Sequence, residues 1–164
     1  MQTARMPLHI ESNNIMLDLE TMGTDSDAAI IAIGAVRFDK SVSDSFYQVV
    51  DLQSSLDAGL TMSADSILWW LKQGDEARQA ITVKGVSLRS ALLNFKKWAG
   101  KDALIWGNGA TFDNVILANA YDKSKVERPW HYSANRCYRT LKSFYPNVEF
   151  QHVAQQFHLK IYSF

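Results

Sequence analysis

Ile15-Met16-Leu17-Asp18-Leu19-Glu20-Thr21-Met22-Gly23 begins as an apolar run and then alternates apolar with acidic residues. The pattern reads as a buried strand. Successive strand side chains point to opposite faces, so Asp18 and Glu20 share one face. Two carboxylates held together in a partly desolvated place repel each other, and the strain is relieved by a raised pKa or by a bound cation. Hard oxygen ligands of this kind suit Mg²⁺ or Mn²⁺. A polar-faced surface strand would also alternate, but the residues before the pair are too apolar for a half-exposed edge.

Downstream, Gly23-Thr24-Asp25-Ser26-Asp27 is a turn-rich cluster. It leads to a β-rich run over 29–38 and, after a second polar turn, to another over 45–50. Connections this short predict an antiparallel meander. The period then changes. Ser63 or Asp65 can cap a helix through Ile67-Leu68-Trp69-Trp70-Leu71, which stops at Gly74-Asp75 before a short helix reaching Ala80. Leu88, Leu92, Phe95 and Ala99 recur at three- and four-residue steps, so 86–98 reads as an amphipathic helix with Lys96 and Lys97 on its wet side. A short buried strand over 103–106 passes through Gly107-Asn108-Gly109-Ala110 into a helix over 111–121. There Asp113 shares a face with Leu117 and Ala120. An acid in a first turn can simply complement the helix dipole. Here, though, the helix follows a strand and a Gly-rich turn, and the carboxyl ends of strands are where open α/β sheets keep ligand sites. Residues 129–132 read as one more short strand, and 136–144 as a basic helix stopped by Pro146.

The chain has 164 residues, 47% hydrophobic and 12% aromatic, which is the length and content expected of a single globular domain over 1–164. No apolar run is long enough to span a bilayer, and Met1–Pro7 lacks the apolar core of a secretory signal, so the expected compartment is the cytoplasm. Residues 1–14 read as a polar lead-in. The single cysteine, Cys137, cannot form an internal disulfide and reads as a small buried hydrophobe. Net charge is zero, yet residues 1–83 carry 5 Lys/Arg against 12 Asp/Glu and 84–164 carry 12 against 5. An acidic half holding paired carboxylates beside a basic half suits a metal-dependent enzyme acting on a polyanion.

Asp18-Leu19-Glu20-Thr21-Met22-Gly23 resembles the first motif of the DEDD 3′–5′ exonucleases, and Asn108 through Asn114 resembles the second. With Ile67-Leu68-Trp69-Trp70-Leu71 and Trp106-Gly107, the likeness is to the exodeoxyribonuclease VIII type, phage-encoded members included, and covers about 15–145. The resemblance implies a ribonuclease-H-like α/β fold. Its mixed five-stranded sheet has three antiparallel strands, then two parallel to the first, with helices on both faces. It further implies two divalent cations, Mg²⁺ or Mn²⁺, at Asp18, Glu20 and Asp113, which activate a water and stabilise charge as a phosphodiester is cleaved. The partner implied is nucleic acid, DNA favoured over RNA. Thr21 and Met22 match positions that meet the terminal nucleotide, Met22 as a wedge against its base, and Asn108 and Phe112 match positions that line the same nucleic-acid-binding cleft.

The likeness departs at the C-terminus. Such exonucleases end in His-x-Ala-x-x-Asp, whose histidine takes the proton of the attacking water. The nearest match here is His152-Val153-Ala154-Gln155-Gln156-Phe157, with Phe157 in place of the acid and an atypical tail over 150–164. Three functions follow as expectations: a 3′–5′ exonuclease slowed by loss of its fourth acid, a nucleic-acid-binding remnant without turnover, or a structural or interaction domain whose acids bind no metal. An incomplete final helix would also expose Phe157, Leu159, Ile161 and Phe164, which predicts a homodimer or poor solubility.

Overall fold

The computed structural model describes residues 13–39 and 42–146. In chain order its strands are β1 (Asn14–Thr21), β2 (Ile30–Phe38), β3 (Val42–Val49), β4 (Leu104–Gly107) and β5 (Asn135–Cys137). The helices are α1 (Leu52–Asp57), α2 (Ala64–Leu71), α3 (Asp75–Thr82), α4 (Leu88–Ala99), α5 (Asp113–Lys123) and α6 (Tyr138–Phe144). All five strands lie in one sheet, ordered β3-β2-β1-β4-β5. β1 with β2 and β2 with β3 are antiparallel, whereas β4 runs parallel to β1 and β5 parallel to β4. This is the mixed sheet expected. Short polar turns close the antiparallel arm, while a parallel neighbour for β1 requires a long crossover, which α1 to α4 supply.

The strand period decides what β1 buries. Ile15, Leu17 and Leu19 are 0–3% exposed and pack with Ile33 and Ala35 of β2 into the main core. From α4 that core receives Leu88, Leu92, Phe95 and Ala99, the residues of the predicted helical stripe, and from α5 it receives Ile116, Leu117, Ala120 and Tyr121. Truncating a ring buried like that of Phe95 costs about 3–5 kcal/mol. A smaller cluster joins Ile31 to Trp70 of α2 and Ala77 of α3. Serine caps define two helix starts: Ser63 Oγ accepts from Ser66 N–H at 3.2 Å, and Ser87 Oγ from Ser90 N–H at 3.3 Å. Each such cap contributes about 1 kcal/mol.

The structure corrects four expectations. The short strand expected over 129–132 is not a strand: Trp130 is buried there with its ring edge-on to Tyr121 at 5.6 Å, and Tyr132–Ala134 is a 3-10 turn. The fifth strand is Asn135–Cys137, so the helix expected from 136 begins at Tyr138. α1 was not anticipated; the Asp51 carboxylate caps it by accepting from Ser54 N–H at 2.8 Å. The lead-in ends earlier than expected, because Asn14 already belongs to β1 and Asn13 Nδ2 donates to Ala99 O at 2.7 Å. Residues 1–12 and 147–164, including His152 and Phe157, lie outside the described residues.

Candidate active site

β4 is only four residues long and ends at Gly107, opposite Leu17 of β1. Two residues further along β1, the Leu19 N–H donates to Asp113 Oδ1 at 3.0 Å instead of to a strand carbonyl. A parallel ladder that stops early leaves a backbone donor at its end, and a buried donor needs a partner. Asp113, first residue of α5, supplies it. The bond draws the acid of the second motif to the strand that carries Asp18 and Glu20.

Gly107 makes the approach feasible. A Cβ there would lie 2.5 Å from Asn114 Oδ1 and 3.4 Å from Asp113 Oδ2, so any larger residue would have to displace the Asn114 side chain at the start of α5. On the β2 side, Asp18 stands opposite Gly34 and Glu20 opposite Ala32, and these small neighbours leave room over the acidic face.

The electrostatics follow from burial. Asp18 is raised to about 7, first by desolvation and then by the negative charge of Asp113. Asp113 is raised to about 6 by desolvation, opposed by hydrogen bonds from the backbone of Leu19 and its own N–H. Glu20, 4% exposed, is buried two residues along the same strand face.

The residues after the acids are fixed on several sides. Trp70 Nε1–H donates to Thr21 O at 2.9 Å, Thr21 Oγ1 donates to Gly23 O at 2.7 Å, and Met22 exchanges backbone bonds with Ala29 O and Ser63 N–H at 2.9 and 2.8 Å. Met22 is half-buried and packs against both hydrophobic clusters. Asn108 is exposed in the turn after β4, and Phe112 is half-buried at the N-cap of α5. The structure therefore places Asp18, Glu20, Thr21 and Met22 along one strand end, and Asn108, Phe112 and Asp113 along the turn that meets it. His152 lies outside the described residues.

Two neighbours escaped the sequence reading. Asn114 is 1% exposed, and its Nδ2 donates to Ile105 O at 2.9 Å and Asn135 Oδ1 at 3.0 Å, tying α5 to β4 and β5. Its only sequence signal was its place beside Asp113. Cys137, expected to be a small buried hydrophobe, is half-buried instead and stands opposite Gly107. Its thiol is lowered to about 7, chiefly by a hydrogen bond with the Thr140 side chain and then by the backbone of Ala110 and Thr140.

The family described as 3'-5' exoribonuclease Rv2179c-like domain matches residues 13–160. The chain belongs to that family. An exodeoxyribonuclease of Enterobacteria phage T4 is 27% identical over a 124-residue match that covers 65% of this chain and 54% of the phage protein. The chain thus spans about half the length of that curated relative. Among solved structures, the nuclease domain of 3'hExo, a DEDDh family member bound to rAMP, is similar with a TM-score of 0.54 at 14% identity, covering 85% of this chain and 74% of that one. That likeness is one of fold.

Within this Rv2179c-like domain, no three or more His, Cys, Asp or Glu side chains among the described residues are gathered as a ready metal cage. The acids nevertheless fit a hard divalent cation. Asp18 and Asp113 offer only oxygen, and the charge of Asp113 hinders ionisation of Asp18. A cation between them would relieve the conflict that burial creates. Among the described residues no helix is long and apolar enough to cross a membrane.

Proposed function

We propose that this Rv2179c-like domain is a metal-dependent 3′–5′ exonuclease that hydrolyses phosphodiester bonds at nucleic-acid 3′ ends. The observation that carries the reading is the Leu19 N–H to Asp113 Oδ1 bond, which joins the acids of two distant motifs at one strand end. Asp18, Glu20 and Asp113 would hold Mg²⁺ or Mn²⁺, which when bound supplies charge neutralisation at the phosphate and a more acidic water. The protein's part is positioning. Leu19 N–H orients the Asp113 carboxylate, and Trp70 fixes the Thr21 carbonyl, so that Thr21 and Met22 form one wall for the terminal nucleotide and Asn108 and Phe112 the other. His152 is assigned the proton of the attacking water.

DNA is the favoured substrate, in keeping with the T4 relative's description as an exodeoxyribonuclease, while the family's description as exoribonuclease makes RNA the necessary comparison. The family match over 13–160 supports one domain across the chain. We further propose a cytoplasmic location and a homodimer; a monodisperse monomer in sedimentation at high concentration would remove that assembly.

The test of function is stepwise shortening from the 3′ end of 5′-labelled DNA and RNA strands in Mn²⁺ or Mg²⁺, against the same strands in EDTA. A second reading, a nucleic-acid-binding remnant, is favoured by Phe157 standing where an acid is expected. Because partners behind metal ligands are already worth about 10–100-fold, restoring a ligand with Phe157→Asp is expected to raise single-turnover cleavage at least about 10-fold. A folded Phe157→Asp protein without any gain would show that 152–157 does not complete the site.

A further inference from the structure

We propose that Arg139 and Lys142 form a phosphate-binding rail for the single strand entering the cleft, an inference that rests on the exonuclease reading of that cleft. No acidic residue occurs between Glu127 and Glu149, a stretch that contains Arg128, Arg136, Arg139 and Lys142. Two of these cations have structural employment. Arg128 lies over the Trp130 ring at 5.9 Å, and Arg136 Nη1 donates to Ser133 O and Asn135 O at 2.8 and 2.9 Å.

Arg139 and Lys142 are exposed, and among the described residues neither enters an ion pair. Three residues apart on α6, they share one side of the helix. Arg139 is also registered to the site. Its N–H donates to Asn108 O at 3.2 Å, and its guanidinium lies 3.5–3.8 Å from where a Cβ of Gly109 would be, in the turn that leads to Asp113. A guanidinium laid on the wall of an acidic cleft, with Lys142 one turn beyond, leads from the reacting end to where the next phosphates must pass. Phosphate contacts position a strand without reading its sugar. The ligand class is therefore the sugar-phosphate backbone upstream of the 3′ nucleotide, in DNA and RNA alike.

The experiment is fluorescence anisotropy of labelled 12-mer DNA and RNA with the full chain, Ca²⁺ replacing the catalytic metal, over a series of salt concentrations. Each single-strand phosphate contact contributes about 0.7 to the slope of log K against log salt, so Arg139→Gln with Lys142→Gln should lower the slope by about 1.4 on both strands. Arg139→Lys in a Lys142 background should keep the slope. Lys97→Gln, at an exposed position of α4, should leave it unchanged, which separates the rail from net charge. A double variant that is folded and binds with the parental slope overturns the rail while leaving the exonuclease reading standing, as does a slope lost on only one sugar. A parent that binds neither strand and releases no nucleotide removes both.

Discussion

The centre and the edge of the sheet differ in what fixes their chemistry. At the centre, β1 is bounded on both sides, and its period puts Leu17 and Leu19 into the core while Asp18 and Glu20 face the other way. A slip of one residue would turn the acids into the apolar core and the leucines out of it, so the face on which the carboxylates lie is enforced by the stability of the whole domain. At the edge, β5 has three residues, and α6 beyond it buries none of its side chains. Little of the core depends on which polar residues that edge carries. The lesson is that the candidate acids inherit their placement from burial, whereas the basic side chains of α6 are free to be chosen for a partner.

The largest expected effect comes from breaking the centre. Asp18→Asn should reduce metal-dependent cleavage at least about 100-fold while the fold persists, because it removes one charged oxygen ligand and little volume. Full Mn²⁺-dependent activity in this variant would detach Asp18 from the chemistry.

The same substitution sharpens the comparison through stability. In the metal-free protein Asp18 is raised to about 7 from 3.8, so between those pH values the folded state holds a proton that the unfolded chain has released. Stability from this group is therefore full below about pH 4 and is lost as pH rises to about 7. Asp18→Asn should flatten that decline and leave the metal-free protein more stable at pH 8, by on the order of 2 kcal/mol. Chemical denaturation of both proteins from pH 4 to 8 measures the difference; parallel curves would mean that Asp18 is well solvated.

Asn114→Ala tests the tie between centre and edge. It leaves the Ile105 carbonyl and Asn135 Oδ1 without the buried donor, so a loss of about 1–3 kcal/mol is expected, with weaker metal binding as α5 loosens on β4. An unchanged denaturation midpoint would show that Trp130 Nε1, which also donates to Asn135 Oδ1 at 3.2 Å, carries the connection alone. The smallest effect belongs to the edge itself. Cys137→Ser keeps the size and hydrogen-bonding ability of the half-buried side chain, and thermal unfolding should register a change of no more than about 0.5 kcal/mol.

The placement of the candidate acids was legible because they sit on strong periods. Asp18 and Glu20 follow from strand alternation, and Asp113 from its spacing to Leu117 and Ala120 after a glycine-rich turn. Asn114 was not legible as a tie, since its partner Asn135 lies 21 residues away and neither residue belongs to a hydrophobic pattern. α1, at six residues, is too short to display a helical repeat. The fifth strand was misplaced because Trp130 and Tyr132 are β-prone in composition, while the pairing belongs to Asn135–Cys137, which has no apolar alternation at all. Its register comes from β4 and not from its own residues.

The ladder of β4 stops before it reaches Leu19. Leu19 contributes an amide proton whose acceptor is a carboxylate oxygen, whereas most strand amides point at carbonyls whose charge never changes. Its resonance is therefore a built-in indicator. Protonation of Asp113, arrival of a cation, or withdrawal of α5 would each alter that one nuclear environment from the interior of β1. A single backbone signal could follow the state of the cleft without a label on strand or protein.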